Sequence, residues 1–198
     1  MIEGFIEFCH KLFPSIDPYT KEQAKQCMKQ FDSVNGALLT SINNESMDLA
    51  QGDIFSEIPF FYFDENGQQK MIRCKAQLLS NTCDAVRDKT LIFAALHPLE
   101  YYTDNEPMIA GIKQNHRYSA LYFPDNPIAD EFVDLEMINT FSREAFMTSL
   151  EMGKIRRIAS LTLVGYYLFL CKLTVFLMRP EDVEVNSSRP VGTLTTSY

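Results

Sequence analysis

Ser80-Asn81-Thr82-Cys83-Asp84, followed by Arg87, gathers polar side chains directly behind an apolar stretch, an arrangement suited to a substrate-binding loop. With His97 as base and Asp84 or Asn81 as orienting group, Cys83 could act as the attacking thiolate of a Cys-His hydrolase. A metal site from Cys83, Asp84, His97 and His116 lacks any ligand pair at helix or knuckle spacing. The structural alternative has Asn81 and Asp84 making turn hydrogen bonds, Thr82 capping them and Cys83 packing inward as a small hydrophobe.

A second set of residues is cationic. Lys70, Arg73, Lys75, Arg87 and Lys89, and later Lys113, His116 and Arg117, are either the wall of a basic groove or a solvated face. Phe60-Phe61-Tyr62-Phe63 and Tyr101-Tyr102 could stack on bases. Consecutive strand residues face opposite ways, so half of Phe60 to Phe63 must lie outside the sheet, against helices or a partner subunit.

The elements that must position these groups are legible in part. Ile2, Phe5, Ile6 and Cys9 repeat at helical spacing until Pro14 and Pro18, and Thr20 with Gln23 has the spacing of a capping box for a second helix through Phe31. From Gly52 short apolar runs alternate with turn residues, as in a small all-β barrel. Ile58 to Phe63 and Gln69 to Leu79 are predicted strands joined by a hairpin at Glu65-Asn66-Gly67. Further strands are expected over Leu91–Leu96, Tyr118–Phe123 and Phe132–Ile138, with Asp104–Gln114 a polar excursion around Pro107 and Gly111. Ser142 is placed to cap a helix over Ser142–Leu150. The stretch from Ile158 to Met178 approaches the length of a membrane span, but a charge at Lys172 is costly there. It is expected to form a buried strand and then a buried helix, which Arg179-Pro180 ends.

Composition sets the class. At 198 residues and 46% hydrophobic the chain can bury one substantial core. Its five cysteines are odd in number and contain no Cys-x-x-Cys pair, which fits a reducing cytoplasm. Glu3 and Glu7 interrupt the apolar start, unlike a signal peptide. The net charge of −8 excludes a surface that is basic throughout, though not a local groove.

The order Gly52-Asp53-Ile54, a hairpin, Lys75-Ala76-Gln77-Leu78-Leu79-Ser80-Asn81, a loop and Leu91-Ile92-Phe93-Ala94-Ala95-Leu96 resembles the PemK/MazF-type toxins. Thr140-Phe141-Ser142-Arg143 matches a later turn of that family, so the resemblance spans roughly Gly52 to Leu177. It implies a metal-independent endoribonuclease with no cofactor, in which an arginine stabilises the pentacovalent phosphate while the 2′-hydroxyl of the RNA attacks. By position the family's arginine falls at Arg73 or Lys75, and its strand-end hydroxyl is replaced by His97, a residue able to move protons near neutral pH.

The chain is therefore expected to be α+β and mainly β. Two helices over residues 1–50 would precede an SH3-like small β-barrel with a buried terminal helix over 51–180, followed by a flexible tail over 181–198. Two functions stay open. One is a dimeric, cytoplasmic, toxin-like ribonuclease cleaving single-stranded RNA, with Arg73, Lys75 and His97 catalytic and Ser80, Asn81, Thr82, Cys83, Asp84 and Arg87 holding substrate. The other is a non-catalytic module of a bacterial stress or phage-defence system that binds a protein, such as an antitoxin, or nucleic acid. The first requires an open basic groove bringing Arg73 or Lys75 to His97. The N-terminal helices could cover such a groove from within the chain.

Overall fold

The computed structural model describes residues 37–40, 48–102 and 105–178. The two expected N-terminal helices and the expected tail lie outside these residues. The described chain is α+β and mainly β. Its strands are β1 (Leu39–Thr40), β2 (Ile54–Phe63), β3 (Gln69–Leu78), β4 (Thr90–Pro98), β5 (Ala120–Tyr122), β6 (Glu131–Ser142) and β7 (Arg156–Leu161). The helices are α1 (Thr82–Arg87), α2 (Glu106–Lys113), α3 (Arg143–Glu151) and α4 (Leu163–Met178), with a short 3-10 turn over Leu99–Tyr102. All strand pairings are antiparallel, in the order β1-β7-β2-β3-β4-β6-β5.

Local chemistry explains the best-defined element. Asp64 closes the β2–β3 turn by accepting from the amides of Asn66 and Gln68, and Gly67 takes the positive φ of 72° that a side chain would resist. Ser142 caps α3 by accepting from the Ala145 amide, as its position predicts. The segment over Asp104–Gln114 corrects the expected polar excursion, because it contains α2. Pro107 sits in the first turn, where its missing N–H has no partner to lose, and Asn105 supplies the cap by accepting from Met108 N.

Both faces of the sheet are buried over its centre. Ile54, Ala94, Leu96, Val133 and Leu135 face α4 with Phe169, while Phe55, Ile58, Phe60, Ala76, Phe93 and Ala95 face α1 and α3 with Ala85 and Phe146. This is why Leu91–Leu96 reads as a continuous apolar run. On β2 the parity changes at a bulge between Phe55 and Ile58, where Glu57 adopts φ 64°. The extra residue turns Ile58 and Phe60 to the same face as Phe55. No ladder joins β1 to β5 among the described residues. Instead, Asp125 beyond β5 accepts from the amides of Leu38 and Leu39 at 2.5 and 3.0 Å, bringing the two ends of the sheet together through a side chain.

The helix α4 lies so close to the strand β1 that Gly165 has no room for a side chain, since an added Cβ would collide with the Leu38 carbonyl. Gly165→Ala is therefore expected to lower unfolding free energy by about 1–3 kcal/mol in urea denaturation. An unchanged midpoint would show that this contact does not constrain the fold.

Candidate functional site

Arg73 and Lys75 lie two residues apart on β3 and so share a face. Ala76 pairs with Ala95, and His97 is two residues beyond Ala95 on β4. His97 therefore shares the face of Ala76, opposite to Lys75 and Arg73. The cross-strand partners agree: Lys75 reaches Glu131, which pairs with Pro98, whereas His97 reaches Asp134, which pairs with Ala95.

Each candidate has its own local partners. Lys75 Nζ forms an ion pair with Glu131 Oε2 at 2.6 Å and donates to the Pro127 carbonyl at 3.0 Å. Arg73 is exposed and donates to the carbonyl of Glu57 at 3.2 Å, at the β2 bulge. His97 Nε2 stands 3.5 Å from Asp134 Oδ2, with its ring against Tyr101 and Phe132. Burial lowers the His97 pKa and outweighs the Asp134 carboxylate, which acts in the opposite direction.

The Ser80–Arg87 group lies elsewhere. Ser80 Oγ accepts from the amide of Ile92, which fixes this group near the start of β4. His97 is five residues further along that strand, roughly 17 Å at the usual rise. Asn81 caps α1 by accepting from Cys83 N, and Thr82 Oγ1 accepts from Gln51 N. Cys83 is exposed and does not pack inward. The structure thus brings Cys83 near neither His97 nor the β3 cations, and Asp84 and Arg87 are exposed on the same short helix. Among the described residues no group of three or more His, Cys, Asp or Glu could hold a metal ion, so Cys83, Asp84, His97 and His116 do not converge. No described helix is long and apolar enough to cross a membrane.

Two of the cations do come together. Lys75 and Lys113 line a surface cleft of about 550 Å³, with Pro98, Leu99, Ile109, Asn126, Pro127 and Ala129. Glu100, Asp130 and Glu131 line it too, so two lysines face three carboxylates. That balance is unfavourable for a polyanion. Glu131 and Asp134, the residues that decide the environments of Lys75 and His97, carried no sequence signal, because each lies far along the chain from its partner.

A different surface stands out on β2 and β3. Phe61 pairs with Met71, Phe63 with Gln69 and Pro59 with Arg73, placing these residues on one face of the hairpin. Phe61, Met71 and Phe63 are exposed, Phe63 to 74%. The main chain at this end is held by Asn139 of β6, whose amide accepts from Phe61 N and donates to Phe61 O at 2.8 and 3.3 Å. The result is a firmly mounted strip of Phe, Met and Arg, residue types enriched at protein interfaces.

No family model and no curated protein matches the chain. Among solved structures, the crystal structure of MazE-MazF (Form-II) from Deinococcus radiodurans is similar over 68% of this chain and 100% of that chain, at a TM-score of 0.40 and 10% sequence identity.

His97 provides a direct test of this geometry. Because its folded pKa is lowered, its stabilising contribution is complete above the ordinary value near 6.5 and is lost as pH falls through the folded pKa. In an NMR titration His97 should titrate below the ordinary histidine value near 6.5, and Asp134→Asn should lower it further by removing the opposing carboxylate. A His97 midpoint at or above 6.5 would contradict the burial described.

Proposed function

We propose that this chain is a PemK/MazF-like protein that acts as a non-catalytic interaction module and takes a protein partner through the outer face of its β2–β3 hairpin. The observation carrying this reading is the separation of the candidate catalytic groups. Lys75 is held by Glu131 and points, with Arg73, from the face opposite His97. In-line cleavage of RNA by a charge stabiliser and a proton carrier needs both groups at one phosphate. Here each has its own partners.

The family part of the reading rests on sequence order. Gly52-Asp53-Ile54, Lys75 to Asn81 and Leu91 to Leu96 occupy or border β2, β3 and β4, which are neighbours in the sheet. The antiparallel sheet, with its ends linked through Asp125, is compatible with a barrel-like arrangement. The partner class rests on the exposed strip of Phe61, Phe63, Met71 and Arg73, together with the net charge of −8 and the acidic balance of the cleft.

The ribonuclease reading retains one supporting observation. Arg73 is exposed beside Glu57, a non-glycine residue held at positive φ, and such strain gathers at functional sites. A single assay separates the two. Full-length protein is incubated with long single-stranded RNA in EDTA, beside Arg73→Ala and His97→Ala. The RNA is expected to remain intact in all three. Discrete products that disappear in Arg73→Ala would overturn the non-catalytic reading and put the chemistry at the bulge.

A further inference from the structure

We propose that the protein partner of this chain contributes an extended acidic segment, which adds as a strand to the open edge of β3 over residues 69–73. This inference rests on the interaction-module reading above and names how that surface takes its partner. Strand pairing decides which main-chain groups are free. The side chain of Asn139 accepts from Phe61 N and donates to Phe61 O, so both groups of Phe61 point away from β3. Phe61 lies opposite Met71, which makes theirs a non-hydrogen-bonded pair, and the N–H and C=O of Met71 therefore point away from β2. Alternation gives Gln69 and Arg73 the same orientation. On that side β4 pairs with β3 only from Ala76 to Leu78. Among the described residues, the outward main-chain groups of Gln69, Met71 and Arg73 thus have no hydrogen-bond partner.

Elsewhere this fold closes its strand edges with side chains. Asn139 does so at Phe61 of β2, Asn115 accepts from Tyr122 N and donates to Tyr122 O on β5, and Asp125 accepts from the Leu38 and Leu39 amides at β1. The β3 edge has no such cap, and unpaired groups in an exposed strand are a template for an added one. The side chains along that edge state the chemistry of the occupant. Lys70 is paired with Asp64 at 3.4 Å and Lys75 with Glu131 at 2.6 Å, so each already has its counter-charge. Arg73 is exposed, donates to the neutral Glu57 carbonyl and is in no ion pair among the described residues. A carboxylate opposite Arg73 on the added strand supplies that counter-charge. An apolar side chain two residues along then lies opposite Met71 and extends the strip of Phe61 and Phe63. A second copy of β3 fits the edge less well, because antiparallel pairing centred on Met71 sets Arg73 against Gln69 and leaves it without a carboxylate.

Phage-displayed random peptides selected on the immobilised full-length chain are the probe. Enriched sequences are expected to carry Asp or Glu two residues from a large apolar side chain. Their binding, read by fluorescence polarisation, should fall about tenfold or more in Met71→Pro, which deletes an outward N–H while sparing the bonds to β2. N-methylation of alternate peptide amides should weaken it equally, and selection on Arg73→Glu should favour Lys or Arg at the acidic position. If Met71→Pro unfolds, the methylated peptides and the charge reversal still decide. No enrichment overturns the proposal, as does binding that neither Met71→Pro nor N-methylation weakens. Binding lost in Phe61→Ala/Phe63→Ala but kept in Met71→Pro overturns strand addition while leaving the hairpin-face reading intact. A concentration-dependent dimer that Met71→Pro dissolves would assign the edge to a second copy and also overturn the proposal.

Discussion

The carboxylate of Asp53 is wholly buried between strands, and the arrangement of the sheet depends on its being satisfied there. Oδ2 accepts from the Ala50 amide and from Arg157 of β7, at 2.9 and 3.0 Å, and Oδ1 accepts from Ser160 of β7 at 2.5 Å. The flanking main chain exchanges hydrogen bonds with Leu78 of β3 through Gly52 N and Asp53 O. The carboxylate thus fastens the start of β2 to β7, while the main chain beside it joins β3. A carboxylate removed from water without such partners costs several kcal/mol, so slipped pairings that strand it are strongly disfavoured. Pairing register decides the face of every side chain along a strand.

That register, modified by the bulge at Glu57, has two consequences for function. It turns Ile58 and Phe60 inward beside Phe55, which leaves Pro59, Phe61 and Phe63 on the outer face with Arg73 and Met71. It also fixes Lys75 and His97 on opposite faces of adjacent strands. The same backbone feature therefore builds an exposed apolar strip and separates the groups that a nuclease would need together. The ion pair between Lys75 and Glu131 reinforces the separation, because drawing the ammonium toward a phosphate would leave a partly buried carboxylate without its cation.

What the sequence discloses and what it hides follow from the range of the interactions involved. The Glu65-Asn66-Gly67 turn, the Ser142 cap and the strand-then-helix split of Ile158 to Met178 are set by residues within a few positions of one another, and the structure contains all three. The helix α2 is also local, but Pro107 and Gly111 masked it and the capping role of Asn105 decided it. The candidate site was not legible. Arg73, Lys75 and His97 have suitable types, but their facing depends on cross-strand register and on Glu131 and Asp134, which no nearby spacing announces. The Ser80–Arg87 segment looked like a site because it is polar. Its side chains largely terminate β3 and cap a short helix, the structural role that those residue types also serve.

Lys172 shows how one charge shapes the use of an apolar helix. Its residue is 8% exposed and burial lowers its pKa to about 8, yet its ammonium has the Asn115 and Arg117 carbonyls as acceptors. Those carbonyls follow α2, so α4 is bound at one end to β1 through Gly165 and toward the other to the α2–β5 connection. The contacts of Gly165 and Lys172 fix which side of this apolar helix faces the sheet, and Phe169 enters the core on that side.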